Sequence, residues 1–281
     1  MSIYTTYAET AITALADGDN TDFFDASVGR VRKVTGLQLK NFVGVEAMRT
    51  KSVFFEDFKG TWAIGDAGPA DYFSSTAGNG TGNQVATTVA ASLNGAVTLK
   101  SASDDGAITA NASSLTMIGL DYKANQGGLV FETRLKLDAI TDVYLFVGFT
   151  DTISTTLEEA IMLVAGDIDS TATDACGILF DTDGTTSDLW CHGGVKNGTD
   201  TVPAYATTAP TAPVADTYVI LRVEVSAAGA VQGFINGVAI GDAVADAVTT
   251  TVALTPAIVI ANRGTAQRIA TIDYWYTEQN R

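Results

Sequence analysis

Acidic side chains are the most abundant reactive groups in this sequence, with 32 Asp and Glu against 16 Lys and Arg and a single histidine. A closely spaced pair of carboxyls could cleave a glycosidic bond, one protonating the leaving oxygen while the other acts as base or nucleophile. On a strand such residues would stand two apart on one face, in a Glu-x-Asp-x-(x)-Glu run, and no such run occurs. Glu56 and Asp57 are adjacent and would point to opposite faces, and Glu158-Glu159 read as part of a loop or helical turn. The histidine, His192, follows Cys191 and precedes Gly193-Gly194. Without a second histidine, a His-based metal site or a Ser-His-Asp triad lacks parts, so His192 reads as an exposed strand-end residue. No catalytic residue is assigned, and an enzyme is not expected.

Binding chemistry has more candidates. Asp181, Asp183 and Asp188 could offer oxygen ligands to Ca²⁺. They lack EF-hand spacing, and the Asp183-Gly184 pair is also ordinary hairpin chemistry, so the turn reading is preferred and no metal or cofactor is expected. Asp167, Asp169 and Asp174 are in the same position. Tyr72, Phe73, Trp190, Tyr205 and Trp275 are candidates for a sugar-stacking platform, against the commoner role of aromatics as core or subunit contacts. Cys176 and Cys191 flank the presumed turn at Asp183-Gly184; a two-residue turn there would set them directly opposite each other. With no secretion signal evident, two free thiols are preferred to a disulfide.

The elements that would position these groups read as strands. Tyr218 to Val225 alternates Val219, Leu221, Val223 and Val225 with Arg222 and Glu224, the period of a strand with one buried face. Val231 to Ile235, Asn236-Gly237 and Val238 to Ile240 form the strongest hairpin signal, because a type I′ turn needs φ > 0 at both central positions. Leu129 to Leu137 places Leu129, Phe131, Leu135 and Leu137 inward and Glu132, Arg134 and Lys136 outward. Val143 to Phe149 is apolar on both faces, as a central strand should be. Val53 to Phe58, Val97 to Leu99, Met117 to Leu120, Ala257 to Ile260 and Ile269 to Tyr276 complete the set. Segments 66–84 and 193–216 read as surface loops. The expected architecture is an all-β sandwich.

Charge divides the chain. Residues 1–51 hold six basic and six acidic side chains, whereas residues 52–281 hold 10 and 26, so the net charge of −16 lies entirely in the body. An acidic body repels nucleic acid and anionic membranes, and neither partner is expected. Residues 1–22 read as an extended arm, and Arg30 to Val34 as a short strand. Thr35-Gly-Leu-Gln38 fits a capping box that opens a short helix through Val43. Residues 1–50 are therefore read as an attachment region, with residues 53–281 as the sandwich. Phe23, Phe24, Arg30, Arg32, Lys33, Leu37, Lys40 and Phe42 are the candidate docking residues; Arg30, Arg32 and Lys33 are read equally well as a solvated strand face.

Three segments together resemble the concanavalin A-like, or laminin-G-like, jelly roll. They are Gly128 to Leu135 with Leu145 to Asp151, Leu221 through Gly237, and Leu254 through Trp275. Ala172 to Asp183 looks like the version found in tailed-phage virion proteins, and the pattern from Thr13 to Lys40 is similar to phage attachment regions. The resemblance implies a non-enzymatic virion protein, made in the host cytoplasm, that decorates a capsid or forms a head fibre. Its implied partners are capsid or other virion proteins, and the expected assembly is a homotrimer. The rival reading is a tail-fibre or other carbohydrate-binding module that recognises a host glycan.

Overall fold

The computed structural model describes residues 20–25, 30–35, 51–58, 72–78, 80–82, 84–88, 95–103, 111–152, 160–183 and 189–280. The chain divides into two compact units, residues 1–52 and 53–280. In the first, β1 (Asn20–Asp25) pairs antiparallel with β2 (Arg30–Thr35), setting Phe23 opposite Arg32 and Asp25 opposite Arg30. The strand expected at Arg30 to Val34 is present. The arm expected through residue 22 gives way to β1 from Asn20. The helix expected to start near Thr35 lies outside the described residues, as do Leu37, Lys40 and Phe42.

The second unit is the expected jelly-roll sandwich. Its strands are β3 (Lys51–Glu56), β4 (Phe73–Ala77), β5 (Gln84–Thr88), β6 (Val97–Lys100), β7 (Ser113–Met117), β8 (Leu129–Leu137) and β9 (Val143–Thr150). There follow β10 (Ile161–Val164), β11 (Asp167–Ser170), β12 (Ala175–Asp181), β13 (Cys191–Lys196), β14 (Thr199–Asp200) and β15 (Ala204–Tyr205). The last are β16 (Val219–Val225), β17 (Val231–Ile235), β18 (Val238–Ala239), β19 (Thr255–Asn262) and β20 (Ile269–Asn280). One sheet runs β14-β13-β12-β9-β19-β7-β4, with β15 on β13; the other runs β18-β17-β16-β8-β20-β6-β5, with β3 on β20. We call them the front and back sheets. The pairings along both strand orders are antiparallel.

Between the sheets lies the main core. The back sheet supplies Leu129, Phe131, Leu135, Leu221, Val223 and Trp275, and the front sheet supplies Leu145, Val147, Phe149, Ile178, Phe180 and Ile258. Trp275 packs on Phe131 with ring centroids 4.4 Å apart. Such large rings dominate the apolar area removed from water and hence the drive to fold. At the β17–β18 turn, Asn236 and Gly237 have φ of 50° and 81°, the left-handed pair a type I′ turn requires.

The front sheet has a second apolar layer on its outer side. Tyr144, Phe146, Leu179, Cys191, Val195 and Val259 face outward and are covered by Ile161, Leu163 and Ile168 of the β10–β11 hairpin. The sheet is shaped for this cover: a Cβ on Gly193 would stand 2.4 Å from Ile168 Cδ1, so the missing side chain makes room for the isoleucine tip. Hydrogen bonds tie the layer down, from Tyr144 Oη to the Ile161 carbonyl and from Tyr205 Oη to the Gly166 carbonyl, each 2.7 Å.

Several expected elements shift. Segment 66–84 was expected to be loop, yet Phe73–Ala77 forms β4, because Phe73 fills the core beside Trp275. The strand expected at Met117 to Leu120 is displaced to Ser113–Met117, and Ile118 and Leu120 are exposed beyond it. Segment 193–216 is not a surface excursion at its start, where Gly193 to Lys196 belong to β13.

Candidate functional site

The two sheets offer very different outer faces. On the front sheet, the outward positions of β12 are Ala175, Gly177, Leu179 and Asp181, beneath or beside the hairpin. Asp181 is buried and receives Arg263 Nε at 2.8 Å and Arg263 Nη2 at 2.5 Å, along with the Leu163 amide at 3.0 Å. Arg263 also reaches Asp183 at 3.6 Å. The two described members of the calcium triad therefore meet a guanidinium, and Asp188 lies outside the described residues. Asp174 is likewise committed, accepting the Thr249 amide at 2.6 Å.

Other sequence candidates sit elsewhere than expected. His192 is fully buried on β13 rather than exposed at a strand end. It points into the main core opposite Ile178, close to Gly233, and neither ring nitrogen has a hydrogen-bond partner. Burial outweighs the nearby backbone of Asp242 and Val231 and pushes its imidazole down to about 4. The cysteines are not opposite each other: the register sets Cys176 against Gly194 and Cys191 against Leu179. The connection is longer than a two-residue turn, so Cys176 faces the main core and Cys191 the outer layer, both as free thiols. The five aromatics weighed as a sugar platform take the commoner role instead. Phe73, Trp190 and Trp275 are core residues, Tyr205 is tied to the hairpin, and only Tyr72 is exposed.

On the back sheet, the outer face is open. Pairing across β17, β16, β8 and β20 aligns Phe234, Arg222, Glu132 and Tyr276 in one row. The next row holds Ile220, Arg134 and Tyr274. All are half-buried, so ring faces and polar heads reach solvent together. Beyond β20, Phe55 of β3 is 58% exposed with its ring 5.9 Å from that of Tyr274, which extends the aromatic surface.

Polar contacts fix these side chains. Tyr274 Oη donates to Glu132 at 2.7 Å and Tyr276 Oη to Glu278 at 2.5 Å. Burial first, and the adjoining carboxylate second, push the Tyr276 phenol up to about 12 and raise that of Tyr274 further, so both remain protonated donors. Arg134 pairs with Asp273 at 2.6 Å and stacks 4.2 Å over the Tyr218 ring, while Arg222 pairs with Glu224 at 2.5 Å. Held in place by these contacts, the rings and heads form a preorganised surface that loses little side-chain entropy on binding.

The sequence already marked Glu132 and Arg134 as outward, but Tyr274, Tyr276, Phe234 and Phe55 were not singled out. The signal was there in part: Tyr274 and Tyr276 flank the inward Trp275 at period two. A bulge between Ile272 and Tyr274 breaks the alternation just before them and obscures it.

No protein-family model matches the sequence, and no curated protein does. Solved structures do match in fold. One described as a native glycosidic hydrolase shares 13% identity, covering 80% of this chain and 95% of its own, with a TM-score of 0.51. The β-glucanase of Bacillus licheniformis shares 12% identity over 80% of this chain and 97% of its own, with a TM-score of 0.48. An endo-1,3-β-glucanase from Streptomyces sioyaensis shares 12% over 82% and 97%, with a TM-score of 0.49. The match to the glycosidic hydrolase overturns the expectation of a non-enzymatic virion structural protein by removing its ground. The sandwich that prompted it is shared with a glycoside hydrolase, and one fold hosts many functions, so the fold argues neither for a virion role nor against catalysis. What the comparisons establish for this chain is the concanavalin A-like jelly-roll sandwich itself.

Proposed function

We propose that this chain is a carbohydrate-active β-sandwich that binds a glycan on the outer face of its back sheet. The observation that carries the reading is the row Phe234–Arg222–Glu132–Tyr276, in which aromatic rings bracket charged hydrogen-bonding heads that are all half-exposed. Sugars present apolar C–H faces and rims of hydroxyls, and such a row serves both, by stacking and by charge-assisted hydrogen bonds. On the front sheet, by contrast, the β10–β11 hairpin covers the outer face of β9, β12 and β13. The fold it shares with a glycosidic hydrolase is consistent with carbohydrate chemistry.

Screening the full chain on a glycan array, followed by titration of the hits, tests this directly. Tyr276→Ala and Phe234→Ala should each lower affinity about tenfold, equivalent to ~1.4 kcal/mol, with the fold intact by circular dichroism. A reducing-end assay on the same glycans reads turnover, with Glu132→Gln as the control for the carboxylate of the row. Absence of any glycan hit, or affinity unchanged in the double variant, would remove the assignment.

A further inference from the structure

Resting on that reading, we infer that the ligand is a neutral, extended glycan chain that lies across the strands of the back sheet. Charge selects the class. Among the described residues of β8 and β16, each cation already has a carboxylate partner: Arg134 has Asp273, Arg222 has Glu224, and Lys136 has Asp216 at 3.3 Å. Glu132 and Glu278 add two further carboxylates, each accepting from a tyrosine hydroxyl. Around these two strands the face therefore groups five acids with three bases, within a body of net charge −16. A sulfated or uronate-rich chain would have to break an ion pair and sit against like charge, whereas hydroxyls can accept from the guanidinium groups and donate to the carboxylates without disturbing either.

Register sets the direction. The rings of the first row stand at its two ends, Phe234 on β17 and Tyr276 on β20, with Arg222 and Glu132 between them. Those four strands span three gaps of about 4.8 Å, roughly 14 Å in all. One strand spacing is close to the length of one pyranose ring, so a chain running across the strands meets one side chain per sugar, with stacking at both ends and hydrogen bonds in the middle. In the second row the Tyr218 ring is covered by Arg134, so rings stand at both ends of the first row but at one end of the second, where Tyr274 meets Phe55.

Calorimetric titration of the full chain provides the test. The probes are a β-glucan, a mannan and a xylan, each as its disaccharide and tetrasaccharide, and the sulfated tetrasaccharides. At least one neutral tetrasaccharide should bind about tenfold more tightly than its disaccharide, and Phe234→Ala should abolish that gain. Its sulfated form should bind at least tenfold more weakly at low salt, where charges act over about 10 Å or more. Glu224→Gln, which releases Arg222 from its partner, should raise affinity for the sulfated form several-fold, an effect that steric blocking of hydroxyls would not produce. A sulfated chain that binds as tightly as the neutral one overturns the class while leaving glycan binding intact. Equal affinity for disaccharide and tetrasaccharide overturns the transverse path. If no probe binds, glycan recognition falls, and this inference with it.

Discussion

Lowering the pH from 7 to 5 should destabilise the protein through one side chain. His192 is the only histidine in the chain, is fully buried between the sheets, and has no hydrogen-bond partner on either ring nitrogen. Its folded-state value is pushed down to about 4 from an ordinary 6.5. Above that ordinary value both states hold a neutral ring, and the full stability is present. As the pH falls below it, the unfolded chain gains a proton that the folded core refuses, so stability is lost until the folded ring also titrates. Linkage puts the loss at about 2 kcal/mol by pH 5 and ~3 kcal/mol by pH 4. Variants that lack the imidazole separate its contribution from that of the carboxylates in this window. Urea unfolding midpoints of wild type, His192→Leu and His192→Gln, measured at half-unit steps, read it out. Both variants should flatten the wild-type slope between pH 7 and 5, and His192→Leu should also hold or raise stability at pH 7, since it removes two unpaired polar atoms from an apolar site. Parallel slopes for all three proteins would refute the argument.

Two further outcomes concern the core of the front sheet. Arg263→Met leaves the buried Asp181 carboxylate without its guanidinium and should cost about 3–5 kcal/mol in urea unfolding, whereas the double change Arg263→Met with Asp181→Leu should recover much of that loss. Both thiols should resist an aromatic disulfide reagent in the native protein and react together once it is unfolded in guanidinium. Burial is the main cause, pushing Cys176 up to about 12 and raising Cys191 still higher.

The back sheet was readable from sequence because one of its faces is wet. From Phe131 to Leu137 and from Leu221 to Val225, buried residues alternate with charged ones, and the Asn236-Gly237 turn fixes the pairing of the next strand. The front sheet was harder to read because both of its faces are dry. Val143 to Thr150 and Ala175 to Asp181 are buried at every position, which erases the period that separates inside from outside. That is why the register of the β12–β13 pair, and hence the placement of Cys176, Cys191 and His192, did not follow from local spacing. Phe73–Ala77 was hidden differently, since its small polar residues resemble a loop and only Phe73 shows the packing that makes it a strand. The candidate site lay half in view. Its charged members stand in clean alternation, but its aromatic members are gathered from β3, β17 and β20, and only the strand order brings them together.

The hairpin over the front sheet makes that part of the molecule three layers deep, and depth governs how quickly the backbone breathes. Amides of β9, β12 and β19 are shielded by apolar side chains above and below, so solvent reaches them only through openings that disturb two cores at once. Amides of β8, β16 and β20 are shielded from one side alone. The protein thus joins a slow, rigid slab to a more responsive one, and the face exposed to ligand belongs to the responsive slab. Binding there can stiffen the back sheet without first having to loosen the front.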